Sequence, residues 1–126
     1  MPKILIVDDE PHIRILLEQT LEEIEDDGVE LLSASNGMEA LEVIKEQKPE
    51  LVFLDVMMPK INGFDVCDTV KNELGMNSVF IILLTAKGQE MDKYKGSKVG
   101  ADLYMTKPFS PSAVVEKARE VLKLNA

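Results

Sequence analysis

The sequence predicts an α/β fold, a five-stranded parallel sheet with helices on both faces. Three observations carry that expectation. Short apolar runs alternate with segments of helical periodicity along the whole chain. The runs are apolar throughout rather than alternating, as strands buried on both faces are. Turn and cap residues stand between neighbouring segments.

The first run, Ile4-Leu5-Ile6-Val7, stops at Asp8-Asp9. Pro11 then suits the first position of a helix whose Ile13, Leu16, Leu17, Leu21 and Ile24 recur at helical spacing, with Asp27-Gly28 as its break. Val29 to Ala34 reads as the second strand. Asn36 is placed to cap the next helix with Glu39 as its box partner, and that helix carries Ala40, Leu41 and Ile44 before Pro49 ends it. Leu51 to Leu54 is the third strand and runs into Asp55. Asn62-Gly63 opens a helix with Phe64, Val66, Cys67 and Val70 on its inner side, closed near Gly75. Val79 to Leu84 is the fourth strand, ending at Thr85. A weaker helix is expected over residues 89–99, where Gly96 costs about 1 kcal/mol relative to Ala. Leu103 to Thr106 is the fifth strand, and Ser110-Pro111 supplies the cap and first residue of a terminal helix through Val114, Val115, Ala118, Val121 and Leu122.

Right-handed crossovers leave few ways to order five such strands, and the flavodoxin-like order 2-1-3-4-5, a (βα)5 unit, suits this length. With 126 residues and neither repeat nor linker, the chain is expected to be one domain over 1–126. No apolar run nears the ~20 residues that span a bilayer, and the N-terminus lacks a secretory pattern, so a cytoplasmic location is expected. Cys67 is the one cysteine, which leaves no internal disulfide and no thiolate zinc site; a buried structural thiol is expected. A net charge of −9 argues against direct binding to nucleic acid or to anionic membranes.

In sheets of this kind, function gathers beyond the carboxyl ends of the strands near the switch in strand order. Strand one ends in Asp8-Asp9, strand three in Asp55, strand four in Thr85, and strand five runs into Lys107-Pro108. Carboxylates ~4–5 Å apart repel by ~3–4 kcal/mol at an effective dielectric of 20, so such a cluster calls for a cation, a shared proton or a lysine. Hard oxygen ligands without His or Cys favour Mg²⁺. A phosphoryl group in transfer spreads charge over its oxygens and needs a metal ion and hydrogen-bond donors around it. Lys107 and Thr85 offer such donors, and Asp55 is the candidate nucleophile. Each residue alone has a plain structural reading: Asp-Asp before proline starts helices, and a threonine after a strand is usually a turn residue. Their joint placement at the ends of four strands is what points to a site.

With these residues in hand, the sequence resembles the receiver domains of response regulators, the CheY-like group. The likeness lies in Ile4–Pro11 (ILIVDDEP), Leu51–Gly63 (LVFLDVMMPKING), Ile81–Lys87 (IILLTAK) and Gly100–Phe109 (GADLYMTKPF). It implies that Asp55 is the phosphoacceptor, taking its phosphoryl group from a histidine kinase or a histidine phosphotransfer protein. It implies Mg²⁺ on Asp9, Asp55 and the Met57 carbonyl, with Asp8 acting through water. Thr85 and Lys107 would grip the phosphoryl oxygens, with a cis peptide between Lys107 and Pro108. Tyr104 would be the switch aromatic of a surface made by the helix over 89–99, the fifth strand and the terminal helix, which would control a downstream effector or output domain. Met57 and Lys87 fall at positions that influence phosphoryl lifetime in the family. Leu103 departs from it, since many DNA-binding regulators carry an Asp there that pairs across a dimer; an apolar residue suits either a different partner contact or plain partial exposure. His12, next to the acid pair, reads as a solvated first-turn residue.

Two other chemistries fit less well. An aspartyl-phosphate hydrolase of the haloacid dehalogenase type would need a second acid two residues after the nucleophile, where this chain has Met57. A nucleotide-binding module would need a P-loop or GxGxxG, and neither occurs. A receiver without turnover of a free substrate is therefore expected, free-standing rather than part of a longer regulator, although that second arrangement uses the same chemistry.

Overall fold

A computed structural model describes residues 1–86 and 99–123. Strands β1 (Lys3–Val7), β2 (Glu30–Ala34), β3 (Leu51–Asp55), β4 (Phe80–Ala86) and β5 (Leu103–Lys107) form one sheet in the order β2-β1-β3-β4-β5, and every neighbouring pair is parallel. Helices α1 (Pro11–Thr20), α2 (Glu22–Glu25), α3 (Gly37–Gln47), α4 (Gly63–Asp68) and α5 (Pro111–Leu122) occupy the connections and the C-terminal end. The helix expected over 89–99, and Lys87 with it, lies outside the described residues apart from Val99.

Successive residues of the three central strands point to opposite faces, and both faces are buried. Leu5, Val7, Val52, Leu54, Ile81 and Leu83 pack with Ala40 and Ile44 of α3 and with Phe64, Val66 and Cys67 of α4. Ile4, Ile6, Leu51, Phe53, Ile82 and Leu84 pack with Leu17 of α1, Ile24 of α2, and Val114 and Ala118 of α5. The apolar runs are continuous in sequence because each strand has a core on either side.

Local details differ from expectation at several points. The first helix is not continuous to Ile24: it stops at Thr20, Leu21 adopts φ −91° and ψ 3°, and α2 follows as a single turn. The Thr20 hydroxyl donates to the Leu16 carbonyl at 2.7 Å, a back-bond that loosens and bends helices, while Leu21 and Ile24 stay buried. Ser110 stands at the N-cap of α5, but its hydroxyl pairs with that of Ser112 at 2.9 Å instead of capping. After α4 the chain widens into a π-helical turn, Thr69–Glu73, closed by Leu74 N–H donating to the Thr69 carbonyl at 2.8 Å. Asn36 caps its helix as the sequence predicts, but the expected box with Glu39 is only half formed, and Asn62 makes the complete one. Asn36 accepts from the Glu39 N–H at 2.8 Å, whereas the Glu39 carboxylate takes the Ser35 N–H rather than closing the box. Asn62 and Asp65 cap one another reciprocally.

Candidate functional site

Strand register brings the polar residues together. Val7 stands opposite Leu54, so Asp8 and Asp55 leave adjacent strands at the same level. Asp55 stands opposite Leu84, and Thr85 opposite Thr106 one residue before Lys107. Asp8, Asp55 and Thr85 are the buried polar residues among those described, all at this end of the sheet.

Asp8, fully buried, has each acceptor engaged. One carboxylate oxygen takes the Glu10 N–H at 2.9 Å, the other takes the Lys107 ammonium at 3.1 Å, and its main-chain carbonyl takes an Arg14 Nη1–H at 2.6 Å. Asp55 shares the same lysine, with Lys107 Nζ 3.0 Å from its Oδ1, and the Met57 N–H approaches that oxygen at 3.3 Å. Asp9 is exposed, yet one ligand oxygen from each of Asp8, Asp9 and Asp55 lies within 4.8 Å of the others. These are hard donors with an approach from solvent on the Asp9 side, and the set fits Mg²⁺.

Electrostatics follow from that crowding. Burial, then the Asp8 charge, push the Asp55 carboxyl up from 3.8 to about 6, against the pull of Lys107. Burial acts downward on Lys107, but its bonds to Asp55 and Asp8 outweigh that, and its pKa is raised. The ammonium therefore stays charged between two carboxylates.

The loop from Val56 to Asn62 is drawn tight. Gly63 N–H donates to the Val56 carbonyl at 3.0 Å, and a Cβ on Gly63 would run into the Asp55 carbonyl oxygen, so this position requires glycine. The tie fixes the path of Met57, whose side chain is exposed, beside the cluster. The Lys107-Pro108 peptide is cis.

Other candidates fall as follows. Tyr104 is half-buried on β5 and packs against the α3/α4 side of the core. Leu103 is half-buried against the opposite side. His12 is exposed, 3.3 Å from Glu10. Cys67 is buried, and burial pushes its thiol up to about 12, against the opposing charge of Lys71. Sequence reasoning missed Arg14; its only signal was a basic residue one turn into α1 on a chain segment that begins with two acids.

The model of the response regulator receiver domain matches residues 4–119. The chain belongs to this receiver family. It is 48% identical over 121 residues to the probable transcriptional regulator ycf27 of Pyropia yezoensis, covering 96% of this chain and 47% of that protein. It is 45% identical to the alkaline phosphatase synthesis transcriptional regulatory protein PhoP of Bacillus subtilis, covering 96% and 48%. Among solved structures, a response regulator from Chloroflexus aurantiacus superposes with a TM-score of 0.86 at 33% identity, covering 98% of this chain and 99% of that one. The receiver thus spans about half the length of the curated relatives it matches. It is a regulatory module of two-component signalling with an acidic pocket that fits Mg²⁺. Among the described residues, no helix is long and apolar enough to cross a membrane.

Proposed function

We propose that Asp55 accepts a phosphoryl group from the phosphohistidine of a histidine kinase or histidine phosphotransfer protein, in a Mg²⁺-dependent reaction. The observation that carries this reading is the Lys107 ammonium held between Asp8 and Asp55 beside the exposed Asp9 carboxylate. In the transfer, a carboxylate oxygen of Asp55 forms the new O–P bond while the P–N bond to the donor imidazole breaks, and the imidazole takes up a proton. At pH 7 a carboxyl titrating at about 6 is mostly ionised and able to attack. Mg²⁺, when bound, supplies charge neutralisation for the phosphoryl oxygens. Asp9, Asp55 and the Met57 carbonyl would hold it, with Asp8 reaching it through water because its own oxygens are already engaged.

Lys107 then pairs with a phosphoryl oxygen, and the Thr85 hydroxyl donates to another. Phosphorylation adds about −1.5 to −2 charges at the end of the sheet, and Tyr104 on β5 would report that change at a surface that includes α5. That surface would act on a downstream effector or output domain. In this reading residues 1–126 work as one receiver unit in the cytoplasm, without turnover of a free substrate. Two relatives are named as transcriptional regulators, and an attached output domain of that kind is the alternative to a free-standing receiver.

Acetyl phosphate with Mg²⁺ should add one phosphoryl group, seen by intact-mass spectrometry, and Asp55→Asn should abolish it. Equal labelling of the variant would reject Asp55 as the acceptor. Sustained hydrolysis of a small phosphate ester would favour a hydrolase instead.

A further inference from the structure

We infer that Arg14 is a positioning residue for the cation site, acting through the main chain between Asp8 and Asp9. This rests on the Mg²⁺ reading of the acidic cluster. Beyond Val7 the chain leaves the sheet: the Asp8 N–H makes a last ladder bond to the Ala34 carbonyl at 3.3 Å, and the Asp8 carbonyl has moved past the strands. A carbonyl carried by a fully buried residue needs a donor. Arg14 supplies it at 2.6 Å from α1, where its own N–H is fixed to the Glu10 carbonyl at 3.2 Å. The same peptide plane joins Asp8 to Asp9, so holding its oxygen sets the direction in which the Asp9 carboxylate leaves the backbone. Arg14 is half-buried, and its guanidinium approaches the acids only through this carbonyl among the contacts described.

Two roles for this arginine predict opposite signs. A cation that merely lies near a cation site repels Mg²⁺, so its removal would tighten binding. A donor that orients the Asp9 carboxylate strengthens binding, so its removal would weaken it.

The test is calorimetric titration of the whole chain with MgCl₂, using Arg14→Met, Arg14→Lys and Asp9→Ala, with melting curves in EDTA. Arg14→Met is expected to weaken Mg²⁺ by about tenfold, in the range seen when a residue supporting a metal ligand is lost. Arg14→Lys, which keeps a donor of nearly equal reach, should stay within about threefold of the wild type. Arg14→Leu serves the same test should the methionine variant not melt cooperatively. Unchanged or tighter binding in Arg14→Met overturns the inference, as does a lysine variant as weak as the methionine one. If the wild type binds no Mg²⁺, or Asp9→Ala binds as the wild type does, the metal reading itself fails and Arg14 falls with it. Normal wild-type binding that is lost in Asp9→Ala but indifferent to Arg14→Met rejects the Arg14 role alone.

Discussion

Lys107 Nζ stands 3.0 Å from Asp55 Oδ1 across 52 residues of chain, and 3.1 Å from Asp8, just past the end of the neighbouring strand β1. The ammonium thus occupies the place of a cation between two buried acids. Lys107→Ala removes that charge without removing a metal ligand, so Mg²⁺ binding should hold or tighten, since the ion no longer competes with the lysine. Phosphorylation of the variant should fail to shift the amide signals of β5 and α5 that move in the wild type. A loss of Mg²⁺ affinity as severe as in Asp9→Ala would count against the role.

The buried Asp55 carboxyl gives metal-free protein a definite pH signature. Its pKa rises from 3.8 in the open chain to about 6 in the fold. Between those values the folded state binds more protons than the unfolded one, so stability falls as pH increases. The contribution is fully present below about pH 4 and is lost as pH rises through about 6. At 1.36 kcal/mol per unit, the loss is on the order of 3 kcal/mol at most. Unfolding free energies in EDTA should show this as a slope in the difference between wild type and Asp55→Asn, and a flat difference from pH 4 to 7 would contradict it. Mg²⁺ should reverse the slope, because it binds the ionised form.

The sheet order and the gathering of Asp8, Asp9, Asp55, Thr85 and Lys107 were legible because strand-end positions are set by hydrophobic runs, which the chain declares openly. The electrostatic pairing was less so. That Lys107 spans both Asp8 and Asp55, and that Arg14 reaches the Asp8 carbonyl, depends on side-chain reach across elements. The break at Leu21 and the π-helical turn at Thr69–Glu73 were hidden for another reason. Buried positions keep near-helical spacing through both, so periodicity alone cannot separate them from plain helix.

Asp9 is where the metal-free and metal-bound proteins should part company. In EDTA, Asp9→Asn relieves repulsion within the cluster, and its melting temperature should rise slightly, less so at high salt because Asp9 is exposed. With Mg²⁺ the order should invert. Wild type gains about 2.7 kcal/mol when the ion is at 100 times its dissociation constant, and a variant that binds poorly gains little. Differential scanning calorimetry with and without Mg²⁺ checks this, and parallel shifts in both proteins would show Asp9 to be no ligand.

A second ion pair, at the opposite end of the sheet, should matter to stability rather than chemistry. The π-helical turn carries Lys71 inward until its side chain is only 7% exposed, where its ammonium donates to the Val79 carbonyl and lies 2.8 Å from Asp102 Oδ2. That carboxylate also accepts the Ile81 N–H at 2.9 Å, so one pair ties the turn after α4 to the starts of β4 and β5. The two halves of the pair are not equivalent. Asp102→Ala strands a buried cation beside a single carbonyl, and should cost on the order of 3 kcal/mol. Lys71→Met leaves a carboxylate that is 31% exposed and still accepts the Ile81 N–H, so solvent offsets much of the loss. Urea denaturation should therefore place Asp102→Ala below Lys71→Met, with Mg²⁺ affinity unchanged in both. The reverse order would mean that Asp102, not Lys71, is the member of the pair that depends on its partner for burial.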